Sequence, residues 1–363
     1  MKIIRVNLGS RSYDIAAGTG RTADFAAYVR ERLPAFTQSL VVADANTRPH
    51  AESYAAALGS KEVALVPSGE GTKSLAEVGR LYARLAGMAA DRKTPVIAVG
   101  GGVIGDAAGF VAATYNRGLP LVMVPTTLLA MVDSAVGGKV GINLPEGKNL
   151  VGSFHQPAVV WIDTAVLETL PDREYRSGLA EVVKYGVIFD ADFFAWLEAN
   201  AELILRRDST TVAHIVARSC RLKADVVEKD EREETGERMA LNYGHTFAHA
   251  FEAVGGYGGW LHGEAVAAGM VGESRLAERL GLIPPATTAR QVTLLQRFGL
   301  PTEPRPEWPA VALLEVMRRD KKNLAGQLRF VLPTRIGHVA IADAVPELLA
   351  REILDASLNV DRG

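Results

Sequence analysis

Five short apolar runs in the first half of the chain constrain its fold more than any other sequence feature. Turn-forming residues bound the runs, which are Leu40–Ala43, Val63–Val66, Pro95–Val99, Leu121–Val124 and Val159–Ile162. Runs of this kind suit strands that are buried on both faces, as in a parallel sheet. Helical patterns such as Ser74–Met88 and Val103–Thr114 lie between them, so we expect the βαβ alternation of a doubly wound sheet.

The second half has a different texture, because helical periodicity dominates after about Thr169. The predicted elements are helices over Arg173–Phe189, Ser209–Val227, Asn242–Ala253, Leu261–Leu280, Gln291–Phe298 and Ala310–Arg318, and two short strands over Leu328–Leu332 and His338–Ile341. The 363 residues suffice for two domains of ordinary size. We therefore predict an α/β domain over residues 1–170 and an essentially all-α domain over residues 171–363.

Composition excludes several classes of protein. A net charge of −2 does not suit a nucleic-acid or membrane-surface binder, so an anionic ligand must meet local cations. Cys220 is the only cysteine, which rules out an internal disulfide and a thiolate metal site. The start at Met1 lacks the pattern of a signal peptide, and no stretch approaches the roughly 18 apolar residues of a membrane span. We therefore expect a cytoplasmic protein.

Three of the seven histidines lie in one stretch, residues 242–264. His245 and His249 are four residues apart and would share one face of a helix, whereas His262 follows a Gly-rich turn and opens a second apolar helix. Two helices could thus direct imidazoles at one point, and imidazole suits zinc and related metals. The alternative is two core histidines and one surface histidine.

Glu181 and Lys184 lie three residues apart in an otherwise apolar helical segment. They share a helix face, and a solvated ion pair is the ordinary interpretation. A buried carboxylate, however, needs a partner, and a metal ion can be that partner. Because catalytic zinc sites usually take three protein ligands, Glu181, His245 and His262 would make such a set.

Several polar loops follow the predicted strands. The segment Gly100–Asp106 leaves a strand and opens a helix, where backbone N–H groups could approach a pyrophosphate, although a plain tight turn is an alternative. Asp44 could bind a ribose hydroxyl or simply form a turn. Ser68–Lys73 and Pro125–Thr127 follow two other strands. Because ligands bind beyond the carboxyl ends of strands in such sheets, these loops predict a nucleotide site.

The motifs together closely resemble the 3-dehydroquinate synthase family over nearly the whole chain. They are Ser68–Lys73, Gly100–Asp106, Val124–Ala130, Val132–Lys139, Gly147–Pro157, Gly178–Tyr185, the histidine stretch and Arg319–Lys322. The resemblance implies a Rossmann-like NAD-binding domain, a helical metal-binding domain and a site in the cleft between them. It also implies NAD, one divalent metal (zinc or cobalt) and a homodimer.

The resemblance also implies a role for individual residues. The metal ligands would be Glu181, His245 and His262, with His249 on the substrate side. Residues lining the substrate pocket would be Asp133, Lys139, Lys148, Asn149, Lys184, Lys223, Arg238, Asn242 and Lys321, with Arg117 facing the phosphate. Residues holding NAD would be Asp44, Glu70, Lys73, Gly101, Gly102, Val103, Asp106, Thr126 and Thr127, joined by Asp133, Lys139 and Lys148. Whether Glu233 or Glu234, and whether Lys321 or Lys322, reaches the pocket stays open.

The implied reaction converts 3-deoxy-D-arabino-heptulosonate 7-phosphate to 3-dehydroquinate and phosphate, a step of the shikimate pathway. Alternatives are a metal-dependent polyol or alcohol dehydrogenase of similar layout, another sugar phosphate cyclase, and a non-catalytic NAD or metal sensor. The many lysines argue against a dehydrogenase, which would not need so much positive charge. No nucleic-acid or membrane partner is expected.

Overall fold

The computed structural model describes residues 1–61, 63–256, 259–319 and 328–358. Its strands are β1 (Lys2–Val6), β2 (Tyr13–Gly18), β3 (Leu40–Asp44), β4 (Val63–Val66), β5 (Val96–Gly100), β6 (Leu121–Pro125), β7 (Lys139–Leu144), β8 (Gly147–Phe154), β9 (Val159–Asp163), β10 (Leu328–Arg335) and β11 (His338–Val345). Its helices are α1 (Phe25–Arg32), α2 (Arg48–Leu58), α3 (Leu75–Gly87), α4 (Gly102–Thr114), α5 (Asp172–Phe189), α6 (Ala191–Leu205), α7 (Ser209–Lys229), α8 (His245–Val254), α9 (His262–Arg279), α10 (Pro285–Arg297), α11 (Ala310–Arg318) and α12 (Glu347–Leu358).

The first compact unit comprises Met1–Pro171 and Ser209–Arg232 and is built on one sheet. The strand order is β1-β2-β9-β6-β5-β3-β4, in which only the β1–β2 pair is antiparallel. Every residue of β3, β5, β6 and β9 is buried, which explains their uninterrupted apolar sequences. The doubly wound parallel sheet predicted from the sequence is therefore confirmed.

Two parts of this unit differ from the sequence-based expectation. The hairpin of β7 and β8 forms a separate antiparallel pair that the sequence pattern did not indicate. Helix α7, expected in the second domain, belongs to the first unit because it packs on β1, β2 and residues 130–134. There the Cys220 thiol donates a hydrogen bond to the Met131 carbonyl at 3.3 Å. The chain thus leaves the first unit near the predicted boundary at Leu170–Pro171, returns to it at Ser209 and leaves it again after Arg232.

The second unit comprises Asp172–Asp208 and Glu233–Gly363 and is organised around α9. This helix packs against α5, α8, α10, α12 and β10. The unit is not entirely helical, since β10 and β11 form an antiparallel pair where two short strands were predicted. In the described part of the chain, no helix combines the length and the apolar character needed to cross a membrane.

Candidate functional site

The predicted cofactor residues lie in loops at one edge of the sheet. Asp44 ends β3, Glu70 and Lys73 follow β4, Gly101 follows β5, and Thr126 follows β6. These four strands are parallel neighbours in the order β6-β5-β3-β4, so their carboxyl ends share an edge. The structure therefore brings the loops together as the sequence predicted.

The turn between β5 and α4 packs closely against neighbouring side chains. Gly101 precedes the first turn of α4, and a Cβ on it would lie 3.2 Å from Thr127 Cγ2. A Cβ on Gly102 would lie 3.1 Å from Ser134 Oγ. Larger side chains at these two positions would therefore crowd Thr127 and Ser134 beside the helix N-terminus, an end of a helix at which backbone N–H groups favour a phosphate. Val103 lies in this same first turn.

Asp44 forms the turn after β3. Its Oδ1 accepts hydrogen bonds from the backbone N–H and the hydroxyl of Thr47, both at 3.0 Å. The side chain is only 9% exposed. The turn-forming interpretation is therefore correct, and the same contacts fix the orientation of the carboxylate that the resemblance assigns to NAD.

Lys73 joins the loop after β4 to other predicted site residues. Its ammonium, 5% exposed, lies 2.7 Å from Asp106 Oδ2, contacts Asn149 Oδ1 and lies 3.6 Å from Glu70 Oε1. Burial raises the pKa of Asp106, although the charge of Lys73 opposes that shift. A lysine of the loop after β4 and a residue of the β7–β8 hairpin therefore meet in one polar cluster.

Other predicted pocket residues of this unit are distributed over several elements. Lys223 of α7 donates to both the backbone oxygen and Oδ1 of Asp133 at 2.7 Å. Lys139 begins β7, and Lys148 lies in β8. Arg117 is exposed and follows the carboxyl end of α4, so the 13-residue helix separates it from Gly102 by about 20 Å. The structure does not group Arg117 with the cofactor turn.

In the second unit, three side chains converge as a metal would require. Ligand atoms of Glu181, His245 and His262 all lie within 4.8 Å of one another. The His245 Nε2 and His262 Nε2 atoms lie 3.7 Å and 3.6 Å from Glu181 Oε1. Glu181 comes from the middle of α5, whereas the histidines are the first residues of α8 and α9.

A glycine allows α9 to reach α5. A Cβ on Gly263 would lie 1.8 Å from the Ser177 carbonyl oxygen, and the Gly263 N–H donates to Ser177 Oγ at 3.0 Å. The start of α9 is also capped, because the Leu261 N–H donates to Glu264 Oε2 at 2.8 Å. Arg173 of α5 binds both carboxylate oxygens of Glu264 at 2.7 Å. These contacts hold His262 against Glu181.

The charge balance of this cluster fits a cation. Glu181 is fully buried, and among the described residues neither carboxylate oxygen has a hydrogen-bond partner of normal geometry. Lys184 forms an ion pair with Oε2. Burial alone would lower the pKa of His262, but the carboxylates of Glu181 and Glu252 outweigh burial and raise it to about 10. The negative charge of these carboxylates, which favours a proton on His262, would also favour a divalent metal ion in place of that proton. Neutral imidazole and carboxylate are both metal ligands.

The outer nitrogens of both histidines have fixed neighbours. His245 Nδ1 lies 3.1 Å from the Tyr243 carbonyl oxygen, and His262 Nδ1 lies 3.4 Å from Glu252 Oε1. Such contacts orient imidazole ligands so that Nε2 faces the metal. His249 is exposed one turn after His245, with ring centroids 5.7 Å apart, and is not part of the converging set.

Three further predictions concern the region before α8. Arg238 is 2% exposed and its Nε lies 3.6 Å from Glu233 Oε1; which of Glu233 and Glu234 reaches the pocket stays a prediction. Asn242 is half-buried at the end of the turn that precedes α8. Lys321 and Lys322 lie outside the described residues.

Sequence reasoning missed Glu273, which lies on α9 and is fully buried. Its carboxylate accepts hydrogen bonds from the N–H groups of Gly244 at 2.8 Å and Thr246 at 3.3 Å, on either side of His245. It therefore stabilises the N-terminus of α8, where negative charge is favoured. The sequence feature that could have identified Glu273 is its spacing of eleven residues, about three helical turns, from His262, which places both on one face of the predicted helix.

Two family models match adjacent parts of the chain. The model of the 3-dehydroquinate synthase N-terminal region matches residues 63–177, and the model of the 3-dehydroquinate synthase C-terminal region matches residues 178–323. The chain belongs to the 3-dehydroquinate synthase family. Glu181, His245 and His262 lie within the matched residues, as do the loops after β4, β5 and β6, whereas Asp44 precedes them.

Relatives of similar length agree with the family assignment. The chain is 49% identical over 353 residues to the 3-dehydroquinate synthase of Halorhodospira halophila, covering 97% of this chain and 98% of the relative. It is 47% identical over 353 residues to that of Desulforamulus reducens, covering 96% and 98%. The predicted lyase activity and the predicted dependence on NAD and a divalent metal are confirmed at the level of the family.

Solved structures of sugar phosphate cyclases share the fold. A 2-deoxy-scyllo-inosose synthase complexed with carbaglucose-6-phosphate, NAD⁺ and Co²⁺ has a TM-score of 0.88 at 27% identity, over 98% of this chain and 100% of that one. The 2-epi-5-epi-valiolone synthase of Streptomyces hygroscopicus, with NAD⁺ and Zn²⁺ bound, has the same TM-score and identity, over 98% and 99%. A probable glycerol dehydrogenase from Sinorhizobium meliloti, with a TM-score of 0.63 at 16% identity, shares the fold alone. The dehydrogenase alternative is therefore not favoured.

Proposed function

We propose that Glu181, His245 and His262 hold the divalent metal with which this chain converts 3-deoxy-D-arabino-heptulosonate 7-phosphate to 3-dehydroquinate and phosphate. The observation that carries the proposal is the buried Glu181 carboxylate, with two imidazoles 3.6–3.7 Å from its Oε1. A buried carboxylate without hydrogen bonds is costly unless a cation compensates it. Lys184 supplies one positive charge, and a divalent ion between the three ligands would supply the rest.

The bound groups would supply what side chains cannot: a Lewis acid for the substrate alcohol and a reversible hydride acceptor, with no net oxidation. The chain's own residues bind and orient the substrate. Arg238, buried in the second unit, presents a planar guanidinium suited to a carboxylate or phosphate. Lys184 is held by Glu181 and adds positive charge beside the metal ligands. His249, exposed one turn from His245, is assigned the role of a proton carrier on the substrate side.

Cations of the first unit would balance the charge of the departing phosphate. We assign this role to Lys139, Lys148 and Lys223; the resemblance adds Arg117, which lies at the opposite end of α4 from Gly102. Lys223 is held by Asp133 and so has a defined position. Fixed positive groups stabilise negative charge as it develops on a leaving group. Asn149 and Asn242 would add neutral hydrogen bonds to the substrate hydroxyls.

For NAD we assign the loops at the sheet edge. The residues are Asp44, Glu70, Lys73, Gly101, Gly102, Val103, Asp106, Thr126 and Thr127, with Asp133, Lys139 and Lys148 facing both ligands. The support is their common position at the carboxyl ends of β3, β4, β5 and β6 and the accessible N-terminus of α4. An open parallel sheet binds nucleotides at that edge.

We expect the purified protein, supplied with the heptulosonate phosphate, NAD⁺ and Zn²⁺ or Co²⁺, to release phosphate and form 3-dehydroquinate without accumulating NADH. The hydride taken from the substrate returns to it, so absorbance of NADH at steady state stays at the level of bound cofactor. Phosphate release and ultraviolet absorbance of the product measure the two outcomes. Stoichiometric NADH without phosphate would instead identify a dehydrogenase.

Replacing Lys139 with Ala should lower turnover by about 10- to 100-fold, the size expected for one charged hydrogen bond to phosphate. The side chain is exposed, so unfolding stability should change by less than about 0.5 kcal/mol. NAD⁺ binding, followed by fluorescence titration, should stay largely intact. Lys229→Ala, at the exposed end of α7, is the matched control and should leave turnover unchanged. Unchanged turnover in Lys139→Ala would remove this residue from the pocket.

We further propose that the enzyme is a cytoplasmic homodimer, as the family resemblance implies. Sedimentation equilibrium should give twice the mass of the 38.8 kDa chain, and cell fractionation should recover the activity without detergent. A monomer that retains full activity would refute the dimer.

A further inference from the structure

The β7–β8 hairpin contains a bulge at the point where it carries predicted substrate residues. Ile142 pairs with Val151 and Leu144 pairs with Gly147, so the pairing register shifts between them. One residue of β7, Asn143, therefore faces three residues of β8, which are 148–150. Asn149 in the bulge adopts a left-handed conformation with φ of 53°, which Asn tolerates better than most residues. Bulges of this kind redirect side chains next to active sites.

Asn143 connects this bulge to the loop after β4. Its side-chain Nδ2 donates to Glu70 Oε1 at 2.8 Å, and its Oδ1 accepts from the Asn149 N–H at 2.8 Å. Its own backbone N–H donates to the Lys73 carbonyl oxygen at 2.9 Å. The side-chain amide thus uses its donor toward one segment and its acceptor toward the other, which few residue types can do.

Lys73 closes the connection from the opposite side. Its ammonium contacts Asn149 Oδ1 and lies 3.6 Å from Glu70 Oε1. Glu70, Asn143, Asn149 and Lys73 therefore form a closed ring of polar contacts. Two members belong to the loop assigned to NAD, and Asn149 belongs to the bulge assigned to the substrate. A displacement of either segment must break contacts to the other.

We propose that Asn143 is a positioning residue that couples the NAD loop to the substrate-binding bulge, so that each ligand tightens the binding of the other. This inference rests on the proposed roles of Glu70, Lys73, Lys148 and Asn149. Contacts of NAD with Glu70 and Lys73 would hold the bulge in position through Asn143 before the substrate binds. Coupling between two binding sites is reciprocal and commonly amounts to a 5- to 150-fold change in affinity.

The test measures NAD⁺ affinity of the metal-loaded enzyme with and without a phosphonate analogue of the heptulosonate phosphate, which cannot release phosphate. For the unaltered enzyme we expect the analogue to tighten NAD⁺ binding by about tenfold or more. The coupling ratio is the NAD⁺ affinity with the analogue divided by the NAD⁺ affinity without it. In Asn143→Asp, a carboxylate would face the Glu70 carboxylate, so this ratio should fall to within about twofold of one. Asn143→Ala removes the connection without adding charge and should lower the ratio equally.

A double variant tests the specific contact. In Glu70→Gln/Asn143→Asp the amide and the carboxylate exchange places, so the hydrogen bond can form again and the coupling ratio should recover, even if NAD⁺ affinity itself is weaker. Asn200→Asp makes the same chemical change on α6, where the amide donates to the Trp196 carbonyl, and should leave the ratio unchanged.

Three results would overturn the inference: no coupling in the unaltered enzyme, coupling retained in both Asn143 variants, or no recovery in the double variant. An unaltered enzyme that binds both ligands but releases no phosphate from the natural substrate would instead refute the proposed function. The two failures are therefore distinguishable.

Discussion

Glu181→Gln is expected to abolish metal binding and to lower turnover by roughly 10³-fold or more, because a Lewis acid contributes several kcal/mol to this type of chemistry. The amide keeps the shape of the side chain but is a poor ligand. Elemental analysis should find close to one metal per chain in the unaltered protein and close to none in the variant. The rise in Tm on adding Zn²⁺, which reflects about 2.7 kcal/mol at 100 times the dissociation constant, should disappear.

Glu174→Gln is the matched control for this experiment. Glu174 lies two helical turns earlier on the same helix, is half-buried and is not in the converging set. Its variant should retain one metal per chain and most of the activity. A Glu181→Gln protein that binds Zn²⁺ with unaltered affinity would contradict the assigned ligand set.

The histidine stretch shows how far local spacing can lead. Periodicity correctly predicted that His245 and His249 lie on one helix and that His262 begins another. Periodicity could not show that His249 is exposed beside the cluster. One helix face is wide enough for His249 to be either a metal ligand or a neighbour outside the ligand set. The apolar neighbours of Glu181 suggested it as a ligand and the family resemblance implied the same, and the structure brings its carboxylate within 4.8 Å of the two imidazoles across a sequence gap of more than 60 residues.

The strands of the parallel sheet were predictable because burial on both faces leaves a simple apolar signature. The β7–β8 hairpin was not, because its residues are mostly polar or exposed and its bulge depends on pairing register. Helix α7 shows the same limit at the level of domains. Its periodicity defines an apolar face, but only the tertiary structure shows that the face packs on β1 and β2.

Gly263→Ala should weaken both the fold and the metal centre. The added Cβ would lie 1.8 Å from the Ser177 carbonyl oxygen, far inside contact distance, so α9 must move away from α5. Overpacking of this kind costs about 3 kcal/mol or more when backbone has to shift. His262 is the adjacent residue and would move away from Glu181, so metal affinity should fall by about 10- to 100-fold. Urea unfolding and metal titration measure the two effects.

Gly79→Ala provides the same substitution without the collision. Gly79 lies on the exposed face of α3, and a Cβ there would meet nothing within 4 Å. Alanine favours helix over glycine by up to about 1 kcal/mol, so this variant should be slightly more stable and should bind metal normally. The two substitutions should change the free energy of unfolding in opposite directions, because Gly263 lies against the backbone of Ser177 and Gly79 faces open space. A Gly263→Ala protein with unaltered stability and metal affinity would show that α5 and α9 do not need this close approach to build the centre.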